Sequence, residues 1–205
     1  EGGGGGRCWA GALGGLESTR VGVIVNEAYR DYNGPSWVRP ATIALLDAID
    51  PKYLARLGAV VLTNARALTG NRKRGKTWSR ARRVPLDRCL GLYHAVTRTE
   101  SAWIEVFVDQ VTKTAPSWLW HIPFLRDAML SKTLYHELGH HIHKTQAPEY
   151  REREDVADDW AKRLGRAMCR RRYPVLMFVL RILWWPRVML KRIRARGRGV
   201  DVSHG

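Results

Sequence analysis

The sequence predicts an α+β fold in which a small, mostly antiparallel sheet packs on a helix hairpin. Apolar and β-branched runs at residues 20–26 and 58–64 are typical of strands, and residues 89–97 and 101–111 are typical of a β-hairpin. Apolar residues then recur at helical spacing before and after a turn at 145–148. The 205 residues are enough for one sizeable core, so we expect a single domain with tails.

Three parts of the chain differ in composition. We interpret the glycine-rich residues 1–19 as a linker or the end of a fragment, 20–172 as the folded domain, and 173–205 as an apolar segment with a basic tail. Between the first two predicted strands, residues 42–57 are apolar at helical spacing but interrupted at Pro51, which predicts two short helices.

The three cysteines, Cys8, Cys89 and Cys169, are widely spaced and odd in number. They indicate neither a disulfide framework nor a cysteine-based metal site. The N-terminal residues show no basic-then-apolar secretory signal. We therefore expect a protein of the reducing cytoplasm.

Residues 134–143 contain the pattern H-E-x-x-H in the first helix of the hairpin. Its two histidines, His136 and His140, are four residues apart and lie on one helical face, with Glu137 beside them. Apolar residues recur every four positions on a neighbouring stripe: Leu130, Leu134, Leu138 and Ile142. Neutral imidazoles suit zinc, and a nearby carboxylate can take a proton from the attacking water. The pattern predicts a zinc site for peptide hydrolysis with Glu137 as general base.

A catalytic zinc ion needs a third protein ligand. The metzincin extension would require Gly and His three and six residues after His140, but His143 and Gln146 occupy these positions. An antiparallel second helix brings Glu154 level with His140, whereas Glu152 faces elsewhere. His143 is a rival ligand, although three ligands from one straight helix rarely converge on one ion. The second helix has its own apolar stripe: Val156, Trp160, Leu164 and Met168.

The two helices together resemble the gluzincin metallopeptidases, the thermolysin-like group, and especially their small minigluzincin members. Those proteins carry H-E-x-x-H on one helix and E-x-x-A/S-D on the next, and Glu154, Ala157 and Asp158 match the second motif. The resemblance covers roughly residues 123–165. It implies that Glu154 binds zinc and that Asp158 holds a zinc-binding histidine, which we expect to be His136.

The resemblance also implies a sheet above the zinc-binding helix hairpin, with an edge strand that binds the substrate backbone. Residues 103–108 could supply that edge by strand addition, and an ordinary core strand explains them equally well. An oxyanion stabiliser is expected too. Its candidates are Tyr135, His121, His94 and Tyr150.

Basic residues are concentrated in two segments of a chain whose net charge is +16. Residues 72–83 hold seven Lys or Arg and residues 162–198 hold thirteen, whereas residues 84–161 hold eight basic and twelve acidic residues. Such basic segments attract nucleic acid or an anionic membrane surface, and a solvated charge run is the plain alternative. The candidate contacts are Arg72, Lys73, Arg74 and Lys76.

The C-terminal residues 173–190 are strongly apolar and flanked by cations. Arg181 and Pro186 interrupt them, so the segment is too short for a confident membrane span. An interfacial helix, which would make the protein membrane-associated, and a helix that packs back onto the domain both remain open.

The expected function is that of a zinc-dependent metallopeptidase acting on a protein or peptide substrate. One alternative is a basic nucleic-acid-binding protein with a structural or vestigial zinc site. The presence of Glu137 argues against it, because a structural site does not require that carboxylate. Another alternative is a membrane-surface-associated protease, as the C-terminal apolar segment indicates.

Overall fold

Two sheets are formed in the computed structural model, which describes residues 17–20, 22–79, 82–98, 101–146 and 153–182. The strands are β1 (Glu17–Ser18), β2 (Ile24–Ala28), β3 (Leu57–Thr63), β4 (Lys76–Ser79), β5 (Arg82–Pro85), β6 (Gly91–His94) and β7 (Ala102–Phe107). The larger sheet has the order β1-β2-β3-β7-β6, and β4 and β5 form a separate hairpin.

The larger sheet is mixed, so the predicted α+β class is confirmed but the mostly antiparallel arrangement is wrong for its centre. β3 lies between β2 and β7 and is parallel to both, while β1 and β6 pair antiparallel at the two edges. Parallel neighbours need long crossover connections, which residues 29–56 and 64–101 provide here. These connections set the direction of each strand, and the local apolar pattern of a strand does not encode it.

The helices are α1 (Val38–Asp47), α2 (Val108–Thr112), α3 (Pro123–Thr145) and α4 (Arg153–Arg172), and residues 174–182 are also helical. Three of the four numbered helices correspond to predicted helical segments, whereas α2 replaces the end of a predicted strand. The predicted break before Pro51 separates α1 from a 3₁₀ turn at Pro51–Leu54, where the Asp50 carboxylate accepts a hydrogen bond from the Lys52 N–H at 3.1 Å. The predicted hairpin is β6 and β7, but the chain turns into α2 after Phe107.

The main core lies between the larger sheet and α3. The predicted apolar stripe of α3 is fully buried, and the facing side chains of β7 are buried as well: Ala102, Ile104 and Val106. The Tyr135 hydroxyl donates a hydrogen bond to the Leu45 carbonyl at 2.9 Å, which ties α3 to α1. Since each buried leucine contributes roughly 1.5–3 kcal/mol, this stripe holds α3 firmly against the sheet.

α3 and α4 pack backbone to backbone where their side chains are smallest. A Cβ atom added at Gly139 would lie 2.7 Å from the Ala157 carbonyl oxygen. The predicted stripe of α4 is buried at Val156, Leu164 and Met168, and Trp160 is half-buried against Tyr53. This close approach places the first turn of α4 beside the histidines of α3.

The N-terminal strands lie a little off their predicted positions. β2 covers Ile24–Ala28 rather than residues 20–26, and it pairs with β1, which falls inside the range interpreted as a linker. The Thr19 hydroxyl accepts a hydrogen bond from the Val23 N–H at 3.0 Å, which closes the turn between β1 and β2. Residues 1–16 lie outside the described part of the chain.

A smaller apolar cluster covers the opposite face of β7. It is built on Leu68, Cys89 and Phe107, and Val84 of β5 packs against it. Cys89 and Cys169 are free thiols, and Cys8 lies outside the described residues. The cluster attaches the β4–β5 side of the molecule to the larger sheet.

Candidate metal centre

Three predicted ligands converge at the α3–α4 interface. One ligand atom from each of His136, His140 and Glu154 can be chosen so that all three lie within 4.8 Å of one another. The Nε2 atoms of His136 and His140 lie 3.6 Å and 3.7 Å from the two carboxylate oxygens of Glu154. All three side chains are partly buried. Two imidazole nitrogens and one carboxylate oxygen form a donor set that suits a divalent transition metal, so this cluster could hold a metal ion.

The helices position these ligands from two directions. His136 and His140 are one turn apart on α3, with their ring centroids 4.9 Å apart and their planes at 89°. Glu154 comes from the first turn of α4. Its carboxylate reaches both imidazoles because no side chain separates the helices between Gly139 and Ala157.

Asp158 orients His136 as the sequence predicts. The His136 Nδ1 atom lies 2.9 Å from Asp158 Oδ1, so the protonated Nδ1 donates to the carboxylate. The lone pair of His136 is then on Nε2, the atom that points towards Glu154. This hydrogen bond therefore selects the tautomer that can bind a metal.

His140 is held in its neutral form. Burial, and then the neighbouring His136 and His143, lower the pKa of His140 to about 4. A neutral imidazole is the ligand form of histidine. His143, the rival ligand, lines the cleft near His140 but is not a member of the three-residue cluster.

Glu137 lies buried beside the cluster, where it meets the backbone of β6. Its exposed fraction is 8%, and the Tyr93 backbone N–H donates a hydrogen bond to its carboxylate. Burial, and then the nearby Glu154 carboxylate, raise the pKa of Glu137 to about 8 in spite of that hydrogen bond. A carboxyl group with such a pKa can both hold and release a proton near neutral pH.

Gly91 makes room for Glu137, and sequence reasoning missed it. A Cβ atom at Gly91 would lie 2.8 Å from Glu137 Cγ and 3.1 Å from Thr133 Cγ2. The strand therefore approaches α3 more closely than any residue with a side chain would permit. An isolated glycine inside a predicted strand is a signal for such an approach, and this signal could have identified it.

A cleft of about 1460 Å³ opens onto the three ligands. One wall is β6 with the residues that precede it, and α3 and α4 form the others. β6 is the edge strand of the sheet, whereas β7 lies between β3 and β6. The hypothesis that residues 103–108 form the edge is therefore wrong, and the core-strand alternative is correct. The local pattern of β7 does not reveal that the shorter β6 lies outside it.

The three described candidates for the oxyanion stabiliser lie away from the cluster. Tyr135 is fully buried in the core, His94 stacks on Trp103 at 3.7 Å, and His121 is exposed on a 3₁₀ turn. Tyr150 lies outside the described residues. None of the three described candidates lines the cleft.

Tyr93 lines the cleft and was not among the predicted residues. Its hydroxyl lies 3.3 Å from Nδ1 of the fully buried His141, whose Nε2 lies 3.0 Å from the Ala55 carbonyl oxygen. A carbonyl can only accept, so Nε2 carries the proton and Nδ1 accepts from the tyrosine. His141 thus fixes the position of Tyr93 from behind the cleft.

The basic residues of the segment 72–76 have different environments in the fold. Arg72 forms an ion pair with the buried Glu105, which His94 Nε2 also approaches at 3.2 Å. Arg72 is therefore paired with Glu105 while 40% of its side chain stays exposed, and its assignment as a contact for nucleic acid or an anionic surface stays a prediction. Lys73 and Arg74 are exposed, and Lys76 lines the cleft.

The helical residues 174–182 expose an apolar face, and Val175 and Phe178 are 74% and 64% exposed. Tyr173, just before it, packs against Phe124 at a centroid distance of 5.1 Å. No helix among the described residues is long and apolar enough to span a membrane. Residues 183–190 of the predicted apolar segment lie outside the described part.

Comparison of the chain with family models, with curated proteins and with solved structures finds no match in any of the three. The resemblance to gluzincins therefore rests on the motif residues alone.

Proposed function

We propose that the protein is a zinc-dependent metallopeptidase of the gluzincin type. The observation that carries the proposal is the convergence of His136, His140 and Glu154 beside the buried carboxyl group of Glu137. Two histidines and one glutamate form the ligand set of thermolysin-like catalytic zinc sites, which leave a coordination position for water. A purely structural site has no need of a buried acid next to its ligands.

The reaction proposed is hydrolysis of a peptide bond. A zinc ion bound by these ligands would act as a Lewis acid that polarises the scissile carbonyl and makes a water molecule more acidic. Next to such a dication the ionised form of Glu137 is favoured, so its carboxylate accepts a proton from the attacking water. The water oxygen bonds to the carbonyl carbon, the C–N bond breaks, and Glu137 returns the proton to the leaving amine.

The edge strand β6 is the proposed binding site for the substrate backbone. It forms one wall of the cleft and contacts Glu137 through Gly91 and the Tyr93 N–H. An extended peptide can add to such an edge through main-chain hydrogen bonds. The scissile bond then lies between β6 and the ligands of α3. The Tyr93 hydroxyl donates its one proton to Nδ1 of His141, so we do not assign it to the oxyanion.

The test combines metal analysis with proteolysis of an unfolded substrate. Elemental analysis of the purified chain is expected to find about one zinc ion per chain. Cleavage of casein should stop on addition of a chelator and return on addition of zinc. Zinc without cleavage would contradict the peptidase proposal. Iron in place of zinc would point to oxygen chemistry, because two histidines and a carboxylate also hold iron(II).

A second candidate function is proteolysis at an anionic membrane surface. The helical residues 174–182 carry exposed apolar side chains at helical spacing: Val175, Phe178, Val179 and Ile182. Arg170 precedes and Arg181 lies within this helix, which suits the headgroup region of acidic lipids. The protein should then co-sediment with vesicles containing phosphatidylserine, and the double variant Phe178→Ser and Ile182→Ser should not. Equal sedimentation of both proteins would contradict this candidate.

A further inference from the structure

The cleft around the metal centre is lined by more cations than acids. Its acidic side chains are Glu137, Glu154 and Asp158, and all three belong to the centre itself. Its cationic side chains surround them: Lys76, Arg88, Lys132, Lys144, Arg153 and Lys162. A bound dication would add further positive charge. The acidic composition of residues 84–161 therefore does not describe the cleft that this region forms.

Two further acids of this region, Glu105 and Asp127, are paired elsewhere in the fold. Glu105 pairs with Arg72 on the opposite face of the sheet, and the fully buried Asp127 accepts hydrogen bonds from Arg172 and Tyr173, both at 2.7 Å. These acids cannot neutralise the cleft from those positions. The cations that line it consequently face solvent and an incoming ligand.

Three of the lysines lie one helical turn from the side chains of the metal centre. Four residues along a helix correspond to a rise of about 6 Å. Arg153 is closer in sequence, since it directly precedes Glu154. The three pairs are Lys132 before His136, Lys144 after His140, and Lys162 after Asp158.

Within the described part of the chain, these cations have few acidic partners. Lys162 forms a pair with the exposed Asp159 at 3.3 Å, and such surface pairs are weak. No described acidic side chain pairs with Lys132, Lys144 or Lys76. A concave surface lined by charges of one sign concentrates its field and attracts ligands of the opposite sign.

We propose that the cleft selects peptide segments with acidic side chains on both sides of the scissile bond. The inference rests on the proposed peptidase function and names its substrate class. An extended peptide advances about 3.3–3.6 Å per residue, so a lysine one turn from the centre lies about two residues along the substrate. Acidic residues are therefore expected at the second or third position on each side of the cleaved bond.

The lining favours a peptide over a nucleic acid. Apart from histidines, Tyr93 is the one aromatic side chain among the described residues of the cleft, and it is already engaged with His141. Clefts that bind single-stranded nucleic acid stack successive bases on several aromatic rings. The edge strand β6 instead offers main-chain groups suited to a peptide backbone.

Binding to a non-cleaving variant tests the proposal directly. Fluorescently labelled peptides with acidic, amide and basic flanks are titrated by anisotropy into zinc-loaded Glu137→Gln protein. The acidic peptide is expected to bind on the order of tenfold more tightly than the amide peptide at low salt. The difference should shrink in concentrated salt, because screening weakens interactions between charges.

Charge reversal identifies the cations responsible. The triple variant Lys132→Glu, Lys144→Glu and Lys162→Glu should lose the preference for acidic flanks. Arg166→Glu is the matched control, because Arg166 is exposed on α4 outside the cleft lining and should leave the preference intact. Circular dichroism confirms that each variant is folded, and Lys144→Gln alone provides a milder change that should weaken the preference in part.

Each outcome separates this inference from the proposed function. Equal binding of acidic and amide peptides, or a preference that survives charge reversal, would overturn the inference even if wild-type protein cleaves both. A preference without cleavage would overturn the peptidase function and leave the selection of acidic segments standing. Displacement of the acidic peptide by an equally tight single-stranded oligonucleotide would overturn the inference in favour of a nucleic acid.

Discussion

Asp158 on α4 holds His136 on α3 through a 2.9 Å hydrogen bond to Nδ1. The pair crosses the interface between the two helices that carry the three candidate metal ligands. The tautomer of His136 therefore depends on the correct packing of α4, the helix that also carries Glu154. A change at Asp158 should affect metal affinity although Asp158 is not a predicted ligand.

Asp158→Ala is expected to weaken zinc binding about 10- to 100-fold, because His136 loses the acceptor that orients its ring. Competition with a chromophoric chelator measures the affinity. Asp159→Ala is the matched control, since Asp159 is the adjacent acid and lies outside the cleft lining. Unchanged zinc affinity in Asp158→Ala would remove its orienting role.

Glu137→Gln is expected to lower peptide hydrolysis by about 10²–10⁴-fold, because the amide cannot accept the proton of the attacking water. The zinc content should stay at the wild-type level, since Glu137 is not a member of the ligand cluster. Activity and elemental analysis are measured on the same preparation. Retained hydrolysis in the variant would exclude Glu137 as the general base.

Gly139→Ala is expected to destabilise the protein by about 1–3 kcal/mol, because its Cβ would meet the Ala157 backbone rather than a side chain that can move. Zinc affinity should fall together with the free energy of unfolding. Urea denaturation measures the free energy of unfolding, and competition with a chelator measures the zinc affinity. Gly165→Ala on α4 is the control, because a Cβ atom there would meet nothing within 4 Å. This variant should be as stable as the wild type or more stable by up to about 1 kcal/mol, since alanine favours a helix more than glycine does.

Arg72→Met is expected to destabilise the protein at neutral pH by about 2 kcal/mol, since it leaves the buried Glu105 carboxylate with His94 as its remaining side-chain partner. Burial acts to raise the pKa of Glu105, but the hydrogen bonds and charges of His94 and Arg72 outweigh it and hold the pKa below 4.5. A depressed pKa gives stability above the unfolded value of 4.5 that is lost as pH falls.

The destabilisation by Arg72→Met should consequently shrink as the pH falls towards and below 4.5, where Glu105 becomes neutral. Urea unfolding of both proteins across this range measures the trend. Lys73→Met, at the exposed neighbouring position, should show little effect at any pH. A loss of stability that does not depend on pH would mean that Arg72 acts through packing rather than through its charge.

The convergence of the three candidate ligands could be predicted from sequence because its geometry is mostly local. The spacing of His136 and His140 fixes their common face, and the short connection to α4 brings Glu154 to the same level. The resemblance implied the contact between Asp158 and His136, which the 2.9 Å hydrogen bond provides.

The surroundings of the centre could not be predicted in this way, because they depend on contacts between distant segments. The sequence predicts that Arg72 is an exposed cation, because Glu105, its partner in the fold, is 33 residues away in β7. The sequence does not distinguish Tyr93 from the other aromatic residues, because its place beside the cleft depends on β6 being the edge strand. The direction of β3 relative to β7 depends on the path of residues 64–101, which contain short strands and turns without a strong periodic signal.

The three candidate ligands come from two helices that approach closely at Gly139, so binding of a metal there would be linked to the docking of the helices. A metal that binds only the docked form would stabilise it by about 4 kcal/mol at a free concentration a thousand times the dissociation constant. Amide hydrogen exchange in α4 should therefore slow on metal binding and quicken on chelation. In a cell, the supply of the metal would then influence how long the folded chain survives as well as how fast it works.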